Sequence, residues 1–128
     1  MDVRKIPVAF SDERGVIIDI LTKAPVEYAT LITSRKGAVR GNHYHKDTIQ
    51  YLYVLEGRLR VVVQMSGEKP EEAILERGDL VVNAPHERHA FEAITDASFL
   101  VLTRGPRGGE NFEQDTFRLD VPLIKPRS

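Results

Sequence analysis

An all-β fold, a small barrel or sandwich, is what the sequence predicts, and three observations predict it. Short apolar runs rich in β-branched residues recur at fairly even spacing, turn residues close each one, and no window of eleven or more residues keeps a helical period of 3.6. The runs 16–21, 28–33, 51–55, 59–63, 80–82 and 98–103 read as strands. Between them, Glu56-Gly57, Ser66-Gly67, Arg77-Gly78-Asp79, Asn83-Ala84-Pro85 and Thr95-Asp96 read as turns. Residues 70–75 are the one stretch that could hold a helical turn. Alternation assigns faces: Gln50, Leu52 and Val54 inward against Tyr51, Tyr53 and Leu55, then Leu59, Val61 and Val63 inward against Arg58, Arg60 and Val62.

Composition bounds what such a fold can do. At 128 residues the chain predicts one domain, 1–128, long enough to bury about two-thirds of its unfolded surface without staples. The absence of cysteine removes disulfides, thiolate metal sites and a cysteine nucleophile together. The formal net charge is −1, with both signs interspersed and no basic block, so neither nucleic acid nor an anionic membrane is an expected partner. The first residues lead into no apolar signal region, and no run approaches the roughly 20 apolar residues of a membrane helix. A cytoplasmic protein is the expectation. The tail from Gly105 onward, rich in glycine and proline, is expected to run over the surface or across a neighbouring subunit.

Chemistry concentrates at His43-Tyr44-His45. In an extended segment His43 and His45 share a face and Tyr44 takes the other, which is how a strand presents two imidazoles to a metal or a proton-transfer pair. Two polar residues on a solvated strand read the same way. Gln50, on the inward face of the next run, enters the same cavity. His89, just past the stop at Pro85, brings a third imidazole to it. His86 reads as an exposed turn histidine, and Tyr44, Tyr51 and Tyr53 as exterior or subunit-interface aromatics. Arg58, Arg60, Arg104 and Arg107 are either solvated surface or a binding site for phosphate or carboxylate.

The spacing Gly37, five residues, His43-x-His45, four residues, Gln50, six residues, Gly57 resembles the first motif of the cupins, with glutamine where glutamate is usual. Gly78, Pro85 and His89 resemble the second, with one extra residue between the first two and Glu87 where glycine is common. The resemblance implies a jelly-roll β-barrel, a homodimer, and a divalent metal (zinc, nickel, iron, manganese or cobalt) held by His43, His45, Gln50 and His89. An amide brings no charge, so Gln50 is either a ligand or a structural hydrogen-bonding group. Three imidazoles and an amide would leave a bound dication its full charge.

Two stretches resemble a narrower group. Phe10-Ser11-Asp12-Glu13-Arg14-Gly15 and Arg40-Gly41-Asn42-His43 are similar to the cupins that rearrange nucleotide sugars, the deoxysugar 3,5-epimerases and 3,4-ketoisomerases. The string from Gly37 to His45, with Asn111 to Phe117, resembles the C-terminal cupin domain of the capsular-polysaccharide UDP-sugar epimerase and reductase. The first stretch also reads as an ordinary hairpin turn. The resemblance implies proton removal beside a ketone, with Arg40 contacting substrate and His43 as base. A ring nitrogen on a metal cannot also collect a proton, so His43 is ligand or base; as ligand it leaves Lys46, which also reads as a solvated turn lysine, or a metal-bound hydroxide as the candidate base. Metal cupins that linearise unsaturated uronates resemble the chain in carrying His, His, Gln and His. Iron dioxygenases and a non-enzymatic sugar-binding or sensor module are further alternatives. In each enzymatic case the partner is a small molecule, a nucleotide sugar or a uronate.

Overall fold

The computed structural model describes residues 1–106 and 114–126. Among the described residues twelve strands form: β1 (Asp2–Lys5), β2 (Phe10–Asp12), β3 (Gly15–Ile17), β4 (Tyr28–Ser34), β5 (Val39–Tyr44), β6 (Ile49–Glu56), β7 (Leu59–Gln64), β8 (Glu71–Leu75), β9 (Asp79–Asn83), β10 (Arg88–Ala93), β11 (Ala97–Arg104) and β12 (Phe117–Arg118). All pair antiparallel. One five-stranded sheet runs β1-β9-β6-β11-β4, a second runs β12-β5-β10-β7-β8, and β2 and β3 form a separate hairpin. This is the expected all-β jelly roll, and the described residues include no helix able to cross a membrane.

The core lies between the sheets because alternation sends one apolar face of each strand inward. Leu52 and Val54 of β6, Leu59, Val61 and Val63 of β7, Val81 of β9 and Phe99 of β11 meet there, none more than 2% exposed. At the β6–β7 turn a side chain on Gly57 would run into the Asp96 carbonyl, and φ is 85°. Glycine alone suits both conditions.

Several elements differ from the sequence expectation. Residues 70–75 hold no helical turn; Glu71–Leu75 is an edge strand hydrogen-bonded to β7, Val61 opposite Ala73. Six residues cannot sustain an isolated helix, whereas the open edge of β7 satisfies the same backbone groups at once. Of run 16–21 only Val16 and Ile17 are strand, in β3 of the hairpin. There Asp12 accepts from the Arg14 backbone NH at 2.9 Å, and the Phe10 to Gly15 stretch forms a hairpin turn. Strands β1, β5 and β10 escaped an apolar-run reading because charged or functional residues fill them. Tyr53 is 6% exposed, buried within the protomer and not available to a partner.

The tail folds back on its own sheet. Strand β12 pairs with the end of β5, and Ile124 covers Val62 and Ala90 on the outer face of β7 and β10. Val62 is outward, as alternation predicts, yet only 4% exposed because the tail shields it. Residues 111–113 of the capsular-domain resemblance, and Arg107, lie outside the described residues.

Candidate metal centre

The string Arg40-Gly41-Asn42-His43 makes a β-bulge. On β10 the consecutive residues Ala90 and His89 face Gly41 and His43, which leaves Asn42 as the extra residue on β5. Gly41 and Asn42 both have positive φ, 90° and 58°. A Cβ on Gly41 would sit 2.9 Å from the His89 carbonyl oxygen, so glycine is what lets the strands approach. In a regular strand Arg40 and His43, three apart, would point to opposite faces. With one residue bulged out, both line the same cavity. Asn42 in turn anchors the tail: its Oδ1 accepts from the Leu123 and Ile124 backbone NH groups at 2.8 and 3.1 Å, and its Nδ2 donates to the Ile124 carbonyl at 2.9 Å.

Three imidazoles converge. Ring centroids of His43, His45 and His89 are 4.7 to 5.1 Å apart, and one nitrogen from each lies within 4.8 Å of the others. Strand β5 ends at Tyr44, so His45 belongs to the following turn. Its ring still joins that of His43, while Tyr44 stacks on Phe117 at 5.3 Å. His45 Nδ1 is 2.9 Å from the Asp115 carbonyl oxygen, and His89 Nδ1 is 3.2 Å from that of Glu87. A carbonyl can only accept, so both Nδ1 atoms carry the hydrogen, and in the neutral rings both Nε2 atoms keep a lone pair.

The Asp115 carboxylate clasps the same turn, accepting from Lys46 NH and Asp47 NH at 2.9 Å and from the Thr48 hydroxyl at 2.8 Å. Partial burial would raise its pKa, but these donors and nearby His45 outweigh that and hold it below the usual carboxylate range. Glu87, at the motif's glycine position, supplies the carbonyl for His89 while burial pushes its own carboxyl upward.

The facing sheet contributes a polar row. Thr103 of β11, Gln50 of β6 and Asn83 of β9 are cross-strand neighbours, all inward and buried. Gln50 Nε2 donates to the Thr103 hydroxyl at 3.4 Å, and its Oε1 lies 3.3 Å from His45 Nε2. Between the sheets is a cavity of about 450 Å³. Leu52, Phe91, Phe99 and Val101 give it apolar walls, and Arg40 and Arg118 give it positive charge. No Asp, Glu, Lys or Tyr among the described residues lines it.

Of the sequence-predicted site residues, His43, His45, Gln50 and His89 come together, and Arg40 lines the cavity with its guanidinium bonded to the Ser34 hydroxyl at 2.8 Å. Lys46 does not join them. It is exposed, its ammonium 4.2 Å from the Phe117 ring centroid, outside the cavity lining. His86 is exposed. Arg58 and Arg60 pair with surface glutamates Glu76 and Glu72, and Arg104 is exposed, so none of these arginines lines the cavity. Sequence reasoning missed Asn83, Thr103, Asp115 and Arg118. Extending alternation one step past Val81 and Val101 would have flagged the first two as polar residues on an apolar face. Asp115 lies within the 111–117 stretch of the capsular-domain resemblance, which gave it no role, and no local signal marks Arg118.

A cupin-domain profile matches residues 30–103, more than half of the chain. The chain belongs to the cupin family. No curated protein matches this cupin by sequence. Its fold is similar to that of the sugar 3,4-ketoisomerase QdtA from Thermoanaerobacterium thermosaccharolyticum, solved in complex with TDP, at 21% identity over 93% of this chain and 88% of that one, TM-score 0.75. It is also similar to dTDP-4-dehydrorhamnose 3,5-epimerase from Sulfolobus tokodaii, at 23% identity over 75% of this cupin and TM-score 0.65. The capsular polysaccharide assembling protein CapF from Staphylococcus aureus matches at 18% identity over 90% of this cupin and TM-score 0.66. This cupin spans 65% of the length of that epimerase chain and 35% of the CapF chain. At these identities the likeness is one of fold.

Proposed function

We propose that this cupin binds a divalent metal ion through His43, His45 and His89, with Gln50 Oε1 as a fourth donor, and exchanges a proton beside the ketone of a nucleotide-linked sugar. One observation carries the metal: a ring nitrogen from each of His43, His45 and His89 lies within 4.8 Å of the others, and the Gln50 side-chain amide is 3.3 Å from His45 Nε2. Metal–nitrogen bonds of about 2.1 Å at tetrahedral angles put the ligand nitrogens of one ion about 3.4 Å apart, so the three rings, now within 4.8 Å of one another, need to close by little more than about an ångström, a rotation of the side chains. The donor set fits.

A bound dication supplies Lewis acidity, polarising a ketone. The protein's residues do the rest. Arg40 and Arg118 present positive charge to an anionic group of the substrate, and Phe91, Phe99 and Val101 exclude water beside the reacting carbon. With no carboxylate, lysine or tyrosine among the described lining residues, an imidazole is the group left to take a proton. His43, half-buried where His45 and His89 are 1% exposed, is the imidazole that reaches substrate, and it takes the proton only if His45, His89 and Gln50 hold the ion without it.

Elemental analysis and solvent-deuterium incorporation into TDP-4-keto-6-deoxyglucose test both halves. Loss of metal in His43→Gln assigns that residue as ligand; retained metal with lost exchange assigns it as base. No exchange by wild type into any nucleotide-linked keto sugar sinks the epimerase or isomerase reading. A second reading has support in the two arginines that line the cavity, Arg40 and Arg118, which also suit the carboxylate of an unsaturated uronate. Loss of that compound's ultraviolet absorbance would select it. For the oligomer we propose a homodimer that covers the exposed Phe10, Val16 and Ile17 of the hairpin; light scattering of wild type against Ile17→Glu tests it.

A further inference from the structure

The row Thr103, Gln50, Asn83 is unevenly satisfied. Thr103 and Gln50 bond each other, and Gln50 faces His45. Asn83 is 1% exposed, lines the cavity, and its Oδ1 has no hydrogen-bond partner among the described residues. Alternation past Val81 calls for an apolar residue at this position, and a leucine of similar volume would meet the needs of the fold without stranding a polar atom. A buried, unmet acceptor in a binding cavity has its use in the bound state.

We infer that Asn83 is a ligand-binding residue whose amide oxygen accepts a hydrogen bond from a hydroxyl group of a sugar bound in the cavity. The unmet atom is an acceptor, so the ligand must donate to it. A carboxylate or phosphate oxygen cannot, and an ammonium is disfavoured beside Arg40 and Arg118. A neutral hydroxyl satisfies both conditions. The sugar ring then lies between the imidazoles and the Thr103-Gln50-Asn83 row, with its anionic group toward the arginines. This rests on the proposed sugar reading of the cavity and adds to it a specific demand, a free ring hydroxyl.

Asn83→Leu tests it against wild type in two measurements. Ligand-free, the variant is expected to melt no lower than wild type; a lower melting temperature shows that the amide serves the fold and overturns the inference. By calorimetry, affinity for TDP-4-keto-6-deoxyglucose is expected to fall about tenfold or more while affinity for TDP is unchanged, because only the sugar reaches Asn83. Equal loss for both, or loss for neither, overturns it and leaves the nucleotide-sugar reading standing. If wild type takes up neither TDP compound, that reading fails, and the pair is titrated with D-galacturonate. Uptake by wild type that Asn83→Leu weakens then supports the inference alone, uptake equal in both overturns it, and no uptake by wild type overturns it too.

Discussion

His43 and His89 are register partners across β5 and β10, and their rings meet edge to face with centroids 4.7 Å apart and planes at 89°. The pairing depends on the bulge at Asn42, and it puts two imidazoles from strands nearly fifty residues apart on one wall, where His45 closes the triangle.

Removing a corner of that triangle is expected to abolish metal uptake. Wild type loaded with zinc and desalted should carry about one ion per chain, and His45→Ala or His89→Ala less than about a tenth of that, since loss of a ligand exceeds the 10–100-fold effect of outer hydrogen-bond partners. Elemental analysis reads this directly, and full stoichiometry in both variants would refute the ligand set.

Asp115 holds His45 from outside. Asp115→Ala loses the carboxylate that clasps residues 46–48 and loosens the carbonyl that keeps hydrogen on Nδ1, so zinc affinity is expected to fall about 10–100-fold. Nitrogen-15 shifts of the His45 ring should report the Nδ1–H form in wild type and a shift toward Nε2–H in the variant. Acidity gives a second readout. The folded carboxyl titrates below its unfolded value, so its stabilisation is complete above the unfolded value and lost as pH falls through the folded one. Denaturation curves of wild type and Asp115→Ala should therefore differ at neutral pH and begin to approach each other only as pH falls below about 4.

Gly41→Ala drives a methyl group toward the His89 carbonyl at a φ of 90°. Urea denaturation should show a loss of about 1–3 kcal/mol from the strained backbone. Zinc affinity should fall with it, because relief of the clash moves His89. A variant as stable as wild type would show that the approach at the bulge is not tight.

Lys46→Met separates the surface from the site. The ammonium rests on Phe117, an exposed contact worth about 0.5–1 kcal/mol at most, and lies outside the cavity lining. Deuterium exchange into keto-sugar and zinc content should match wild type; a large drop in exchange would restore Lys46 as the base.

The strands of the core were legible because burial writes a period of two into residues 50–54, 59–63 and 98–103, and Gly37, Gly57, His43 and His45 carried the family resemblance. Strand β8 was not legible, since Glu71 to Leu75 carries no pattern of its own and becomes a strand by completing the edge of β7. Strand β5 was obscured by the polar residues and the glycine that make its bulge and face the cavity.

What the sequence determined by itself was an all-β chain with His43, His45, Gln50 and His89 at cupin spacing, because alternation and short-range spacing are local properties. Which atoms face the cavity was decided only in three dimensions. The bulge reverses the face of Arg40 relative to His43, the tail brings Asp115 to His45 across 70 residues, and strand pairing aligns Thr103, Gln50 and Asn83 into one row. Each depends on hydrogen bonds between segments distant along the chain, and no local pattern records those.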